Sequence, residues 1–304
     1  MDRLTSIAVF VAAAEDGSLS SAARRFGLSA SMAGKHVSSI ETDLGVRLMQ
    51  RSTRKLHLTD VGQAYYARCK RILEEYEDAN REAGDAQQSV HGVLRVAAPI
   101  TFGAMHLGPV VARYMDQHPR VGVEVMLNDR YVDLLAEGID VAIRVGRLLD
   151  SDMVARRLAP CRMVICAAPS FLERHGVPRT IQDLRRAPRL AFSEAISSGD
   201  WTLSDPDGQA HVIDGPIRMA ANNTEMLLAV ALAGGGVTYG PSFVFGRAIA
   251  AGDLVALLPD HQPTELTIHA VYPTRRHVSL KLRSFVEHLI ASFGGVPPWD
   301  RRER

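Results

Sequence analysis

With 304 residues, 46% of them hydrophobic and 23% charged, the chain exceeds a single hydrophobic core and has the balance of a soluble globular protein, so two or more domains are expected. Three scattered cysteines, Cys69, Cys161 and Cys166, exclude a disulfide scaffold. No apolar run approaches the roughly 20 residues of a membrane helix and no basic start with an apolar block marks a leader, so a cytoplasmic chain with no membrane partner is expected. The net charge of +1 hides an asymmetry: residues 24–55 hold seven basic side chains against two acidic ones. A positive patch on a weakly acidic body is the footprint of a nucleic-acid-binding end.

Leu4, Ile7, Ala8, Val11 and Ala14 recur at helical spacing, and Asp16-Gly17 stops that helix. Ser20 is the expected N-cap of a second helix, which buries Ala22, Ala23 and Phe26 and ends at Gly27. Ser29 caps a third, in which Ala33, Val37, Ile40 and Leu44 form one buried stripe. Its other side carries Ser31, Gly34, Lys35 and Ser38, with His36 grouped beside them. Short, hydroxylated or basic groups of this kind suit base edges and phosphates; a merely solvated helix face is the alternative. Residues 46–58 then place two short apolar runs around an Arg-Ser-Thr-Arg-Lys tip, the pattern of a small β-hairpin with Arg51, Thr53, Arg54 and Lys55 at phosphates. The expected DNA-contacting set is therefore Ser20, Ser29, Ser31, Lys35, His36, Ser38, Arg51, Thr53, Arg54 and Lys55, on double-stranded DNA.

Thr59-Asp60 restarts a helix that runs to about Gln87. Tyr65, Cys69, Ile72, Tyr76, Ala79, Ala83 and Ala86 are separated alternately by four and three residues, a coiled-coil seam over about three heptads. A homodimer through this seam is expected; packing of the helix on its own C-terminal domain is the alternative.

Beyond Gly92 strands and helices alternate. Strands are expected at 93–98, 121–127, 139–145, 161–168, around Trp201, and at 217–220, 237–239 and 265–272. Helices are expected at 105–117, from Ser170, and at 224–233, 242–250 and 279–293, with a helical turn at 132–137. Such alternation gives open sheets with helices on both faces, and ligands bind beyond the carboxyl ends of the strands. Ile100, Thr101 and Phe102 lie just past the first strand. Asn222, Asn223 and Thr224 open a helix whose positive end suits an anion, and Arg144 could add a charge partner. These seven are the expected effector-binding residues, although Thr101 and the asparagines could simply cap helices. No nucleophile elbow, phosphate loop or His-Glu-x-x-His motif is present. His106, His175 and His211 read as surface or capping residues. Cys161 and Cys166, assigned to one strand on opposite faces, could not share an ion. No enzyme activity, cofactor or metal is expected.

The Ser18–Gly62 pattern, the long helix after it, and the segments Glu-Gly-Ile-Asp-Val-Ala-Ile-Arg-Val-Gly (137–146) and Ala-Gly-Gly-Gly-Val-Thr-Tyr-Gly-Pro (233–241) resemble the LysR-type transcriptional regulators over roughly residues 2–293. The resemblance implies a winged helix-turn-helix DNA-binding domain (1–58), a dimerising linker helix (59–88), a hinge (89–92) and an effector-binding regulatory domain (93–304). That last domain would be a two-lobed α/β body like the periplasmic binding proteins, with lobe I at 93–161 and 268–293 and lobe II at 162–267. It further implies a homodimer that often pairs into a tetramer, promoter DNA and a small effector as partners, RNA polymerase as a further candidate partner, and action on its own gene and a divergent neighbour. Where the family's recognition helix usually reads Ser-x-Ser-Ala-Val-Ser-Arg, this chain has Gly34 in place of a hydroxyl and Lys35 in place of an arginine that could bond bidentately. An effector-independent architectural DNA-binding protein is the alternative reading.

Overall fold

Small residues set how closely the first three helices meet. In the computed structural model, which describes residues 2–51, 56–84, 90–146, 153–193, 201–273 and 278–300, α1 (Arg3–Asp16), α2 (Leu19–Arg25) and α3 (Ala30–Leu44) bury Ala13, Ala22 and Ala33 completely. Each helix begins at a side-chain cap: Asp2, Ser18 and Ser29 accept the amides of Thr5, Ser21 and Met32. Ser18, in extended backbone, is thus the cap of α2, and Ser20 is an exposed residue of its first turn. Phe26 is the C-cap, past the helix's inner face, and is 39% exposed.

The buried stripe of α3 consists of Ala33, His36, Val37 and Ile40, spaced as one helical face. His36 sits there because its Nδ1 lies 2.8 Å from the buried Ser6 hydroxyl of α1. It therefore leaves the expected DNA-contacting set. Leu44, in the last turn, stays exposed.

β1 (Met49–Arg51) and β2 (Leu56–Leu58) pair antiparallel, Met49 opposite Leu58, as the expected hairpin. Its tip, with Thr53, Arg54 and Lys55, and the Arg51 side chain lie outside the described residues. One carboxylate ties hairpin to helix: Glu41 Oε1 accepts the amides of Leu48 and Met49 at 2.8 and 3.0 Å. The Thr59 hydroxyl donates to Arg47 O and accepts from Gly62 N, which starts α4 (Asp60–Gly84). A Cβ on Gly62 would fall 1.9 Å from Leu48 O, so only glycine allows the helix to begin against the hairpin.

α4 does find a surface of its own to pack on. Tyr65 is half-buried, its ring 5.5 Å from that of Phe10 in α1, and Cys69 is 1% exposed in the same cluster as Ile7, Phe10 and Val11. Cys69 is thus a core residue and leaves the expected dimer seam, and Tyr65 is engaged within the chain. Ile72 and Tyr76, one and two turns further on, remain about half exposed at 47% and 49%. The side chains of Ala79 and Ala83, and all of Ala86, lie outside the described residues.

Residues 2–84 belong to one unit, Met1–Ser89; Val90–Arg304 forms a second. In the second unit β3 (Gly92–Ala98) runs into α5 (Ile100–Phe102), a π-helical turn (Gly103–Leu107) and α6 (Gly108–Gln117). Next come β4 (Val121–Leu127), α7 (Leu134–Glu137), β5 (Val141–Val145) and β6 (Met153–Cys161). The chain then enters a second sheet with β7 (Met163–Ala167), α8 (Pro169–His175), α9 (Ile181–Arg186) and β8 (Arg189–Phe192). β9 (Thr202–Ser204), β10 (Ala210–Val212), β11 (Ile217–Ala221), α10 (Thr224–Leu232), β12 (Val237–Pro241), α11 (Ser242–Ala251), β13 (Val255–Ala256) and β14 (Gln262–Pro263) follow. β15 (Leu266–Pro273) and α12 (Leu280–Phe293) return to the first sheet's side.

The first sheet has the order β4-β3-β5-β15-β6, with β3 parallel to both β4 and β5. The second has the order β11-β8-β12-β7-β13, and β10-β9-β14 form a small third sheet. These define two lobes, the chain crossing between them at 161–163 and 263–266. Cys161 closes β6 and Cys166 lies in β7, two strands in place of the expected one. A single apolar cluster nevertheless runs through both lobes, from Leu94, Phe102 and Phe285 to Leu190, Leu227 and Phe245.

Glu41→Ala leaves the buried end of the hairpin without an acceptor for two amides. It is expected to destabilise the N-terminal unit by about 2 kcal/mol in urea unfolding, with Glu41→Gln, which keeps one acceptor oxygen, losing less.

Candidate functional sites

A cavity of about 710 Å³ opens between the two sheets of the second unit. Lobe I contributes Pro99, Thr101, Phe102 and Asp129; lobe II contributes Arg189, Trp201, Thr224, Tyr239 and Phe243. β3 ends at Ala98, so Thr101 sits at the carboxyl edge of its sheet, and Thr224 is the first residue of α10. Their hydroxyls meet across the cavity, Thr224 donating to Thr101 at 2.9 Å. The floor is aromatic: Phe102 meets Phe243 edge to face at 5.4 Å; behind it, outside the lining, His106 Nε2 lies 2.9 Å from Phe243 O and Trp299 4.7 Å from the His106 ring. His106 is thus half-buried behind the floor, whereas His175 is exposed and His211 bonds Asp205. A Cβ on the lining residue Gly240 would meet the Phe245 ring at 2.3 Å.

Of the seven residues expected here, Thr101, Phe102 and Thr224 line the cavity. The other four do not, and each has a local reason. Asn223 Oδ1 accepts Met226 N as the cap of α10, and Asn222 beside it is exposed. Ile100 bonds through its backbone, its amide donating to Asp129 Oδ1 at 3.0 Å. Arg144 neighbours the lining residue Val145, so strand alternation turns it to the opposite face. There its guanidinium bonds Val132 O at 2.8 Å and stacks 4.0 Å over the Tyr131 ring.

Arg189, Trp201, Asp129 and Tyr239 were not anticipated. Tyr239 is the middle residue of β12, whose carboxyl end, Gly240 and Pro241, also lines the cavity; the strand-end rule points to that neighbourhood. Arg189, the first residue of a short apolar strand, carries no such signal. Burial pushes the Asp129 carboxyl above its ordinary value, against the lowering effect of the Ile100 amide.

In the first unit, Ser31, Lys35 and Ser38 lie exposed on one side of α3, opposite its buried stripe. Ser29 is exposed as well, its hydroxyl accepting Met32 N. A concavity of about 560 Å³ separates this face from the hairpin, lined by Gly34, Ser38, Glu41, Arg47 and Gln50. Arg47, another residue the spacing did not single out, is 83% exposed at the rim, 3.7 Å from Glu41.

A helix-turn-helix with a β-hairpin wing, on one chain with a cleft between two α/β lobes, defines a DNA-binding transcriptional regulator with a ligand-binding domain. Residues 4–63 match the bacterial regulatory helix-turn-helix proteins of the lysR family and residues 87–294 match the LysR substrate binding domain; the chain belongs to the LysR-type transcriptional regulators. It is 36% identical to an HTH-type transcriptional regulator of Haemophilus influenzae, over 93% of this chain and 98% of that one. Identity to the regulator PtxR of Pseudomonas aeruginosa is 34%, over 97% and 94%. The solved structure of CrgA, a LysR-type regulator from Neisseria meningitidis, superposes with a TM-score of 0.62 at 31% identity, covering 96% of this chain and 99% of that one.

Burial holds the His106, His288 and His269 imidazoles below their ordinary 6.5. The unfolded chain therefore binds these protons first as pH falls, so their stabilising contribution is complete above pH 6.5 and is lost as pH drops toward the folded-state values. The melting temperature of the C-terminal unit is expected to fall as pH drops below 6.5, and less steeply in His106→Phe. Thermal melts across that range check it.

Proposed function

We propose that α3 enters the major groove of promoter DNA with Ser31, Lys35 and Ser38 toward base edges and phosphates. Ser20 and Ser29 flank it at the backbone, and Arg51, Thr53, Arg54 and Lys55 of the hairpin grip phosphates beside it. The observation that carries this reading is the uncovered polar side of α3, opposite a stripe engaged with α1. Arg47 adds a cation at the edge of the same face. Residues 1–58 act as the DNA-binding domain, 59–88 as the dimerising linker and 93–304 as the regulatory domain, whose effector occupies the cleft between the lobes at Thr101 and Thr224.

Self-association proceeds through the part of α4 beyond Cys69, where Ile72 and Tyr76 stay exposed. Two copies place two recognition helices on a two-fold site, and pairs of dimers form the tetramer that contacts RNA polymerase at promoters in the cytoplasm. The chain works by binding and not by turnover.

Binding to DNA from upstream of the protein's own gene, followed by fluorescence anisotropy, tests the DNA face. Lys35→Ala is expected to weaken binding about tenfold, and Arg54→Ala to weaken specific and non-specific binding alike while lowering the salt slope by about one. Wild-type affinity in both variants would refute the assignment.

In sedimentation, Ile72→Glu with Tyr76→Glu is expected to shift the chain toward monomer without lowering its melting temperature. An unchanged oligomer would place the interface elsewhere.

A further inference from the structure

The effector cleft is polar at both ends, and the two ends differ in charge. At one end stand the Thr101 and Thr224 hydroxyls with Asp129, whose Oδ1 is fixed by the Ile100 amide. A carboxyl raised by burial sits badly beside a second negative charge, so this end suits a neutral hydroxyl or another donor.

At the other end is Arg189, which is 9% exposed. Its Nη1 and Nη2 donate to Ile213 O and Gly215 O at 2.6 Å each, and its Nε is buried without a partner. These acceptors are carbonyls, not carboxylates. Asp214, the carboxylate whose field Arg189 feels, is itself 83% exposed and paired with Arg185 at 3.0 Å. Among the described residues no carboxylate pairs directly with this buried guanidinium, although Asp214 lines the same cavity and acts on it at longer range; such an arrangement is costly unless something supplies the counter-charge.

Strand register separates the two ends. Ala221 and Phe192 pair at the end of the sheet from which α10 departs, and Ile217 and Arg189 pair at the other. Three residues of strand span about 10 Å. Because Gly215 precedes β11, the guanidinium stays at the far end. Between the ends the wall is aromatic, with Trp201 5.2 Å from the Arg189 guanidinium and Phe102 and Phe243 below.

Resting on the reading that an effector occupies this cleft, we propose that the ligand is an elongated aryl monoacid, its carboxylate received by Arg189 and its opposite polar group by Thr101 and Thr224. The aromatic wall takes the ring, Arg189 supplies the charge-assisted contact, and the carboxyl of Asp129 at the opposite end selects against diacids.

The test uses the full chain carrying Trp299→Phe. Trp201 and Trp299 are the two tryptophans of the chain, so in this variant the emission comes from Trp201 in the cleft. Para-hydroxyphenylpropionate, its carboxamide and para-ethylphenol are titrated while emission and melting temperature are read. The acid is expected to change Trp201 emission saturably and raise the melting temperature, with the amide and the phenol at least about tenfold weaker. In Arg189→Lys, which keeps the charge but loses the fork, that preference is expected to shrink.

Acid and amide titrating alike would overturn the role of Arg189 while leaving the cleft as the effector site. A rise in melting temperature with no change in Trp201 emission would place the ligand elsewhere and remove the cleft reading itself. No response to any of the three at millimolar concentration would refute the aryl acid class.

Discussion

The edge-to-face contact of Phe102 with Phe243 joins what would otherwise be two separate lobes. Phe102 follows the first strand of lobe I and Phe243 opens the helix after β12 in lobe II. Both rings also line the cavity. The floor of the cavity and the interface between the lobes are therefore the same surface. An aromatic pair of this geometry contributes about 1 kcal/mol beyond its buried area, and here it lies within one apolar cluster that extends into both sheets. The His106 contact to Phe243 O and the Thr224–Thr101 hydrogen bond fasten the same interface by polar means. A ligand in this cavity touches both lobes at once, which gives its binding a route to the arrangement of the whole domain.

Much of this was legible in the chain. Helical periodicity located α1 and α3, Ser29 marked the start of α3 and Ser20 came within two residues of the cap of α2, and strand–helix alternation gave the α/β class. Thr101 and Thr224 were found because position at a strand's carboxyl end or a helix start is a local property. The misses have one cause. Whether His36 faces DNA or core, whether Cys69 faces a second copy or α1, and whether Arg144 points into the cleft are decided by a partner element distant in sequence. Ser6 claims His36 from 30 residues away. Arg189 was invisible for the same reason, since what marks it is the set of carbonyls around its guanidinium, supplied more than twenty residues later.

The N-terminal unit shows the same division between local and distant causes. Its polar α3 face follows directly from the amphipathic pattern, but the hairpin's placement depends on Glu41 reaching the amides of Leu48 and Met49 and on Gly62 making room for Leu48 O. One of the two acidic residues in an otherwise basic stretch is thus structural. It ties the wing to α3 through the two amides it accepts.

Native-state hydrogen exchange of the full chain, with and without Phe243→Ala, tests most directly whether the lobes share one core. If they do, the amides of β3 in lobe I and β12 in lobe II lose protection together and by the same factor. Loss confined to β12 and α11, with β3 protected as in the wild type, would mean that the lobes are independent and that the cleft floor does not join them.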